Sequence, residues 1–216
     1  EARHGVTFLW ETEVLGIDGP KIRHARGEIE AGAVIVAPGA SIAALAPDAA
    51  KRIEARVCTL QMLRIAAPGF RLPSVVMSDL SLLRYGGFAA TAAAERLRAR
   101  LQDECAEELE HGVHLIVAQS TDGSLVVGDS HHYAAHAQPF ASAAVEALIL
   151  GELHALFNIP DAEVTERWLG HYPVANVKPV VSEELQPRVR LVTVTNGLGM
   201  STAFAIGEET LAELFG

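Results

Sequence analysis

The stretch TNGLGMSTAFAIGEE, residues Thr195 to Glu209, decides the fold. It reads as the exit of a strand, two glycines and the start of an apolar helix. Gly197 and Gly199 allow positive φ and close approach of the backbone. The N–H groups that open the helix have no intrahelical partners and carry partial positive charge. Such a turn suits an anion or a flat ring that gathers negative charge. It equally suits a helix that simply packs on a sheet. Ser201 and Thr202 could cap the helix or donate to a ligand. Cofactor-binding glycine turns usually open a domain, yet this one lies almost at the end of the sequence.

Upstream, VTERWLGHYPV, the region around VVSEEL, and VRLVTVT read as strands. Near the other end, Ala33 to Ala37 is a continuous apolar run centred on Val-Ile-Val, as expected of a strand buried on both faces. It stops at Pro38-Gly39, at the strand edge where open α/β sheets bind ligands. Thr7 to Val14 is also β-rich. The chain opens on Glu1 and heads straight into this segment, so it is expected to begin inside a fold.

The middle is organised differently. Residues 56–66, 74–79 and 82–88 read as short strands. From Ala92 to Leu109, the residues Leu97, Leu101, Cys105 and Leu109 recur every fourth position, which predicts an amphipathic helix ended by His111-Gly112. Two apolar runs flank Thr121-Asp122-Gly123-Ser124, a strong hairpin signal. Pro139 is expected to open a long apolar helix reaching about Phe157. The expected class is α/β (α+β). Residues 1–50 and 164–216 form an incomplete Rossmann-like domain, and 51–163 a mixed, largely antiparallel domain.

Half of the 216 residues are apolar and a fifth are charged, the profile of a globular protein. The net charge of -10 argues against nucleic acid as a partner. No apolar run reaches the ~18 residues of a membrane span. No charged-then-apolar leader is visible, so a signal peptide is not expected and a cytoplasmic location is. Cys58 and Cys105 are expected to be reduced thiols. Neither a G-x-S-x-G elbow nor a G-x-x-x-x-G-K-[ST] loop occurs.

Two further segments could carry chemistry. DSHHYAAH holds His131, His132 and His136. The 132/136 spacing could hold a metal on a helix, but the segment follows a strand and no Glu ligand lies near, so no metal is expected and a pocket-lining loop is. RWLGHYPVANVKPV carries Trp168, Gly170, His171, Tyr172 and Lys178, which could wall a planar ligand or form an edge strand.

In this order, GVTFLWETEV, GAVIVAPGA, DGSLVVGDS, RWLGHYPVANVKPVV and VTNGLGMSTAFAIGEE resemble the D-amino-acid oxidase-like family of FAD-dependent oxidoreductases. That family includes glycine oxidase, sarcosine oxidase and D-amino-acid dehydrogenases. SLVVGDSHHY and NGLGMSTAFAIGEE most resemble a subgroup associated with phosphonate catabolism. The resemblance covers nearly the whole sequence and implies the missing piece: the family opens with a strand–GxGxxG–helix fingerprint for FAD, absent here. A fragment of such an enzyme is expected, with an exposed sheet edge and little activity alone. It implies non-covalent FAD, because Gly170 stands where some members attach flavin to cysteine. Val14 would lie near the adenine, and Ala37 and Gly39 near the pyrophosphate or ribose. Gly197, Leu198, Gly199, Met200 and Ser201 would lie against the flavin pyrimidine.

The implied reaction is oxidation of a C–N bond in a small amine, with a hydride equivalent passing to the flavin and the imine then hydrolysing. Tyr85, His132, Tyr172 and Lys178 are the candidate substrate residues. Many members grip a carboxylate with Arg near Tyr172, whereas His171 and Tyr172 stand there in this sequence. Arg64, Arg84, His171 and Lys178 are the cationic groups that could grip a phosphonate. No catalytic residue or oligomeric state is assigned. The alternative is a non-catalytic or partner-completed module that binds through its open sheet.

Overall fold

The computed structural model describes residues 5–216. The chain divides into two compact units, residues 1–56 with 172–216, and residues 57–171. The observed class is α/β with mainly antiparallel sheets.

The first unit opens with an antiparallel meander of β1 (Val14–Asp18), β2 (Lys21–His24) and β3 (Gly27–Glu30). The strand expected from Thr7 starts only at Val14. Trp10 and Glu11 form a turn instead, and Glu11 at φ 51 breaks the extended backbone. Strand β4 (Val34–Val36) follows, then α1 (Ile42–Leu45) and α2 (Pro47–Arg52), the latter with Pro at its first turn.

The second unit is built on β5 (Arg56–Ile65), whose inner positions Cys58, Leu63 and Ile65 are fully buried. After β6 (Val76–Met77) come α3 (Leu80–Arg84) and α4 (Gly86–Ala89), where a strand over 82–88 is expected. LSLLR has no two-residue alternation and its leucines favour helix, which explains the difference. The predicted helix over 92–109 is split at Cys105, at φ -137, into α5 (Ala92–Glu104) and α6 (Ala106–Glu110). No Gly or Pro marks that break in the sequence.

The predicted hairpin is present as β7 (Ile116–Gln119) and β8 (Leu125–Gly128), paired from Ile116↔Gly128 to Gln119↔Leu125. Its turn is fixed by Asp122 Oδ1, which accepts from Ser124 N at 2.9 Å and Ser124 Oγ at 2.7 Å, with Gly123 at φ +91. Strand β9 (His132–Ala134) pairs with β5. Helix α7 (Ala143–Leu156) begins four residues beyond Pro139, because Ser142 caps it by accepting from Val145 N.

Strand β10 (Val164–Val174) completes a sheet of order β10-β5-β8-β7-β6. Beneath it, Leu63, Leu115, Leu125 and Val127 pack with Val145, Ile149 and Leu153 of α7 in one buried cluster. Gly151 lies inside α7 with open space where a Cβ would go. Gly151→Ala is therefore expected to stabilise the protein by about 0.5–1 kcal/mol. A higher urea midpoint at unchanged slope is the check.

The chain then returns to the first unit as β11 (Val180–Gln186), β12 (Val189–Val194) and α8 (Gly199–Phe215). Strand β12 pairs antiparallel with β11 and parallel with β4, from Val189↔Val34 to Leu191↔Val36. Val34, Val36, Val189 and Leu191 pack on Ile42, Ala46, Ala49 and Ala50. Burial of β4 on both faces is not observed. It is an edge strand among the described residues, and Ile35 stays 44% exposed on its other face. No described helix is long and apolar enough to cross a membrane.

Candidate functional site

In the first unit, β4 ends at the turn holding Ala37 and Gly39, and β12 ends at the turn into α8. A cleft of about 490 Å³ lies there. Ala37, Gly39, Tyr172, Gly197, Gly199 and Met200 line it, with Ile35, Val194, Ala203 and Ile206 as apolar wall. Gly197 is at φ +77, and a Cβ there would sit 3.2 Å from the Tyr172 ring. Only glycine meets both demands without strain. Gly39 also has positive φ, at +54. Asn196 Oδ1 accepts from Leu198 N at 3.1 Å and shapes the turn.

The first turn of α8 carries no acidic residue, so the dipole at its N-terminus is not neutralised locally. The capping suggested for Ser201 and Thr202 does not occur. Leu198 holds the cap position without a side-chain bond, and Thr202 Oγ1 instead donates to Leu198 O at 3.0 Å. Thr193 Oγ1, buried in the cleft wall, has no hydrogen-bond partner among the described residues.

The structure thus gathers Ala37, Gly39, Gly197, Gly199, Met200 and Tyr172. Leu198 and Ser201 border that turn but are not in the lining, and Val14 lies apart on β1. Lys178 is exposed in the loop before β11. Tyr85 and His132 belong to the second unit. There His132 lines a small cavity with His111, Gln61 and Ser130, and Tyr85 meets the His114 ring edge-on at 6.0 Å. His136, the other half of the weighed metal spacing, follows β9 in a non-helical segment, so the helical geometry that pair needs is absent.

The second unit also buries a polar cluster that sequence reading misses. His114 precedes β7, while Asp129 and His131 follow β8. The two backbones bond there through His114 N to Asp129 O at 3.1 Å and Asp129 N to His114 O at 3.2 Å. The His114 and His131 rings stack at 4.8 Å. Burial, helped by the nearby Arg84 charge, lowers the pKa of His114 to about 4 and that of His131 to about 3. Burial raises that of Asp129 to about 7, against an opposing pull from Arg84. The signal available in the sequence is register: the 122/123 turn places residues 114 and 129–131 side by side just beyond the hairpin.

A second polar patch surrounds Glu152 of α7. Burial raises its carboxyl pKa, and the charges of Glu108 and Asp79 add to this. The same acidic surroundings, with burial first, push the Cys105 thiol up. A folded pKa above the unfolded one gives stability that is full at low pH and lost as pH rises through the folded value. Glu152→Gln is thus expected to be neutral near pH 4 and stabilising by a few tenths of a kcal/mol at pH 8. Urea melts at both values check the sign.

Residues 2–214 match the family model described as FAD dependent oxidoreductase. The chain belongs to that family. FAD is the family's cofactor. None of the curated proteins matches. Among solved structures, the chain is similar to glycine oxidase from Geobacillus kaustophilus, with TM-score 0.65 and 17% identity over 94% of this chain and 47% of that one. Glycine oxidase from Bacillus cereus ATCC 14579 gives 0.63 and 14% over 94% and 49%. L-proline dehydrogenase from P. horikoshii gives 0.65 and 15% over 94% and 49%. At these identities the likeness shows the fold. The chain spans about half the length of the solved structures it matches.

The chemistry of this cleft is compatible with one part of FAD. Its apolar wall and the Gly197 cradle suit a flat ring, and the α8 N-terminus and the unsatisfied Thr193 hydroxyl supply donors at its margin. The glycine fingerprint for the pyrophosphate does not occur within the 216 residues.

Proposed function

We propose that this chain is the portion of an FAD-dependent amine or amino-acid oxidoreductase that holds the flavin ring margin and lines the substrate site. The observation that carries this is the Gly197 turn, held open against Tyr172 in an apolar cleft, in a chain that belongs to this family. Residues that the longer relatives carry beyond this length would bind the pyrophosphate and adenosine. Bound FAD would supply the electron acceptor for oxidation of a C–N bond.

The chain's own part is to position and to stabilise. Gly197 and Gly199 admit the ring edge to the backbone, and the Tyr172 ring walls it. The free N–H groups of α8 favour negative charge at that edge. Tyr85, His132 and Lys178 are the remaining proposed substrate groups. An aminophosphonate is the favoured substrate, because Tyr172 and His171 stand where a carboxylate-gripping Arg is common, and Arg64, Arg84, His171 and Lys178 are the candidate groups for gripping a phosphonate.

The product of the complete reading frame, purified with FAD, tests this. Anaerobic addition of 2-aminoethylphosphonate or its N-methyl form should bleach the flavin band. Bleaching by glycine or proline alone would move the substrate to amino acids. A protein that holds no flavin would refute the cleft assignment.

A second reading has its own observation. Met200 and Phe204 on α8 are 91% and 90% exposed, and β4 is an open edge among the described residues. A separate polypeptide that completes this sheet would cover them. Concentration-dependent association of the chain, weakened by Phe204→Ser, would favour that arrangement.

A further inference from the structure

We propose that the small cavity lined by Thr59, Gln61, Ser130, Ser142, His111 and His132 binds one tetrahedral oxyanion of the phosphate class. All of these residues belong to the second unit, and the inference does not depend on the flavin reading.

The cavity comes from a change of chemistry along one strand. Residues of β5 two apart share a face. Leu63 and Ile65 pack in the buried cluster with Val145, Ile149 and Leu153 of α7. Thr59 and Gln61 continue that face, 4% and 5% exposed, where apolar side chains would extend the core. His132 pairs directly with Thr59, so its side chain joins theirs. Gln61 is locked to the start of α7. Its Oε1 accepts from Ser142 N and its Nε2 donates to Ser142 O, each at 2.9 Å.

What remains at the cavity is donors. Thr59 Oγ1 accepts from Gln138 N at 3.1 Å, Ser130 Oγ from Gln61 N at 3.2 Å, and Ser142 Oγ from Val145 N at 3.4 Å. Each hydroxyl keeps its O–H proton, and none of the three donates to an acceptor among the described residues. Ser130 is fully buried. Gln61 Nε2 also keeps one N–H. The half-buried His111 and His132 rings lie 5.5 Å apart, and their nitrogens bond no other described residue. A neutral imidazole offers one N–H and a charged one two, so both rings can donate in either state. No carboxylate lines the space. The N-terminus of α7 borders it through Ser142, and Glu146 in that first turn is held by Arg167 at 2.8 Å.

Buried donors without acceptors are costly. The size of the space says what can satisfy them. It measures about 70 Å³. One water needs only about 10–15 Å³, and a drug-sized ligand about 300–1,000 Å³. A group of a few heavy atoms fits, and a cofactor ring does not. A tetrahedral oxyanion presents acceptors in several directions, and charged acceptors make the stronger hydrogen bonds. The net charge of -10 acts through screening solvent, whereas these donors act at contact.

Equilibrium dialysis of the product of the complete reading frame against radiolabelled inorganic phosphate tests this. Flavin content is measured separately and does not enter the result. One phosphate per chain, bound saturably and displaced by sulfate, is expected. Ser130→Ala should weaken binding about 10–100-fold. His132→Phe, which keeps a ring and removes both nitrogens, should do the same. His136→Gln, outside the cavity, should bind as the parent does. Should Ser130→Ala fail to fold, His132→Phe at its half-buried position decides. Displacement of the phosphate by 2-aminoethylphosphonate would identify the anion as the phosphonate end of a substrate, and its failure would identify a free anion. Both results keep the oxyanion site. No saturable binding at millimolar phosphate would overturn it, as would binding that survives both Ser130→Ala and His132→Phe.

Discussion

Gly197→Val is expected to lower FAD affinity by about 10–100-fold. The backbone at 197 holds φ +77, and a Cβ there would be 3.2 Å from the Tyr172 ring. A β-branched side chain is among the worst fits to positive φ. Strain of this type costs about 1–3 kcal/mol, and each 1.4 kcal/mol is about tenfold in affinity. The turn can relax by shifting the start of α8, and then the ring margin loses its cradle. Gly199→Ala is the control. Its Cβ would meet Val194 at an ordinary 3.5 Å, and its φ is not in the left-handed range. It should leave affinity nearly unchanged. Equilibrium dialysis of FAD against the three proteins, made from the complete reading frame, measures this. Equal affinities would show that ligand does not meet this turn.

Ile149→Ala is expected to remove about 2–5 kcal/mol of stability. Ile149 is fully buried between α7 and the sheet, among Leu63, Leu125 and Val127. The cavity has strand backbone on one side, which limits collapse. Phe204→Ala removes a larger side chain, yet its site is 90% exposed, so a change within about 0.5 kcal/mol is expected. Paired urea melts of the two variants check the contrast. A comparable loss in both would mean that α8 is covered in solution, as the partner-completed reading requires.

The sequence was most legible where one local rule governed. The Asp122-Gly123 hairpin, the strand at Val34–Val36 and the strand–glycine–helix unit at 199 each follow from a turn residue plus an apolar run. Elements failed where tertiary contacts decided. Ser142, not Pro139, starts α7, and its backbone N is fixed by Gln61 Oε1 at 2.9 Å, a partner no local window contains. The break at Cys105 carries no turn signal, and Gly86-Gly87 does not reveal the helices at 80–89. The same division holds for the site. The glycines of the cleft were readable because positive φ selects them. The His114–Asp129–His131 cluster was not, because its residues meet only through the hairpin register and the return to β9.

The parallel pairing of Val34 with Val189 has a consequence for how this protein is made. A ribosome adds about 5–20 residues each second. Strand β4 is therefore synthesised many seconds before the strand it must lie beside. Residues 57–171 are continuous in the chain and can condense on their own in that interval. The early segment cannot, and its apolar strand stays available to chaperones, or to a neighbouring nascent chain, until the last stretch emerges. Premature termination anywhere before residue 189 would leave it stranded for good.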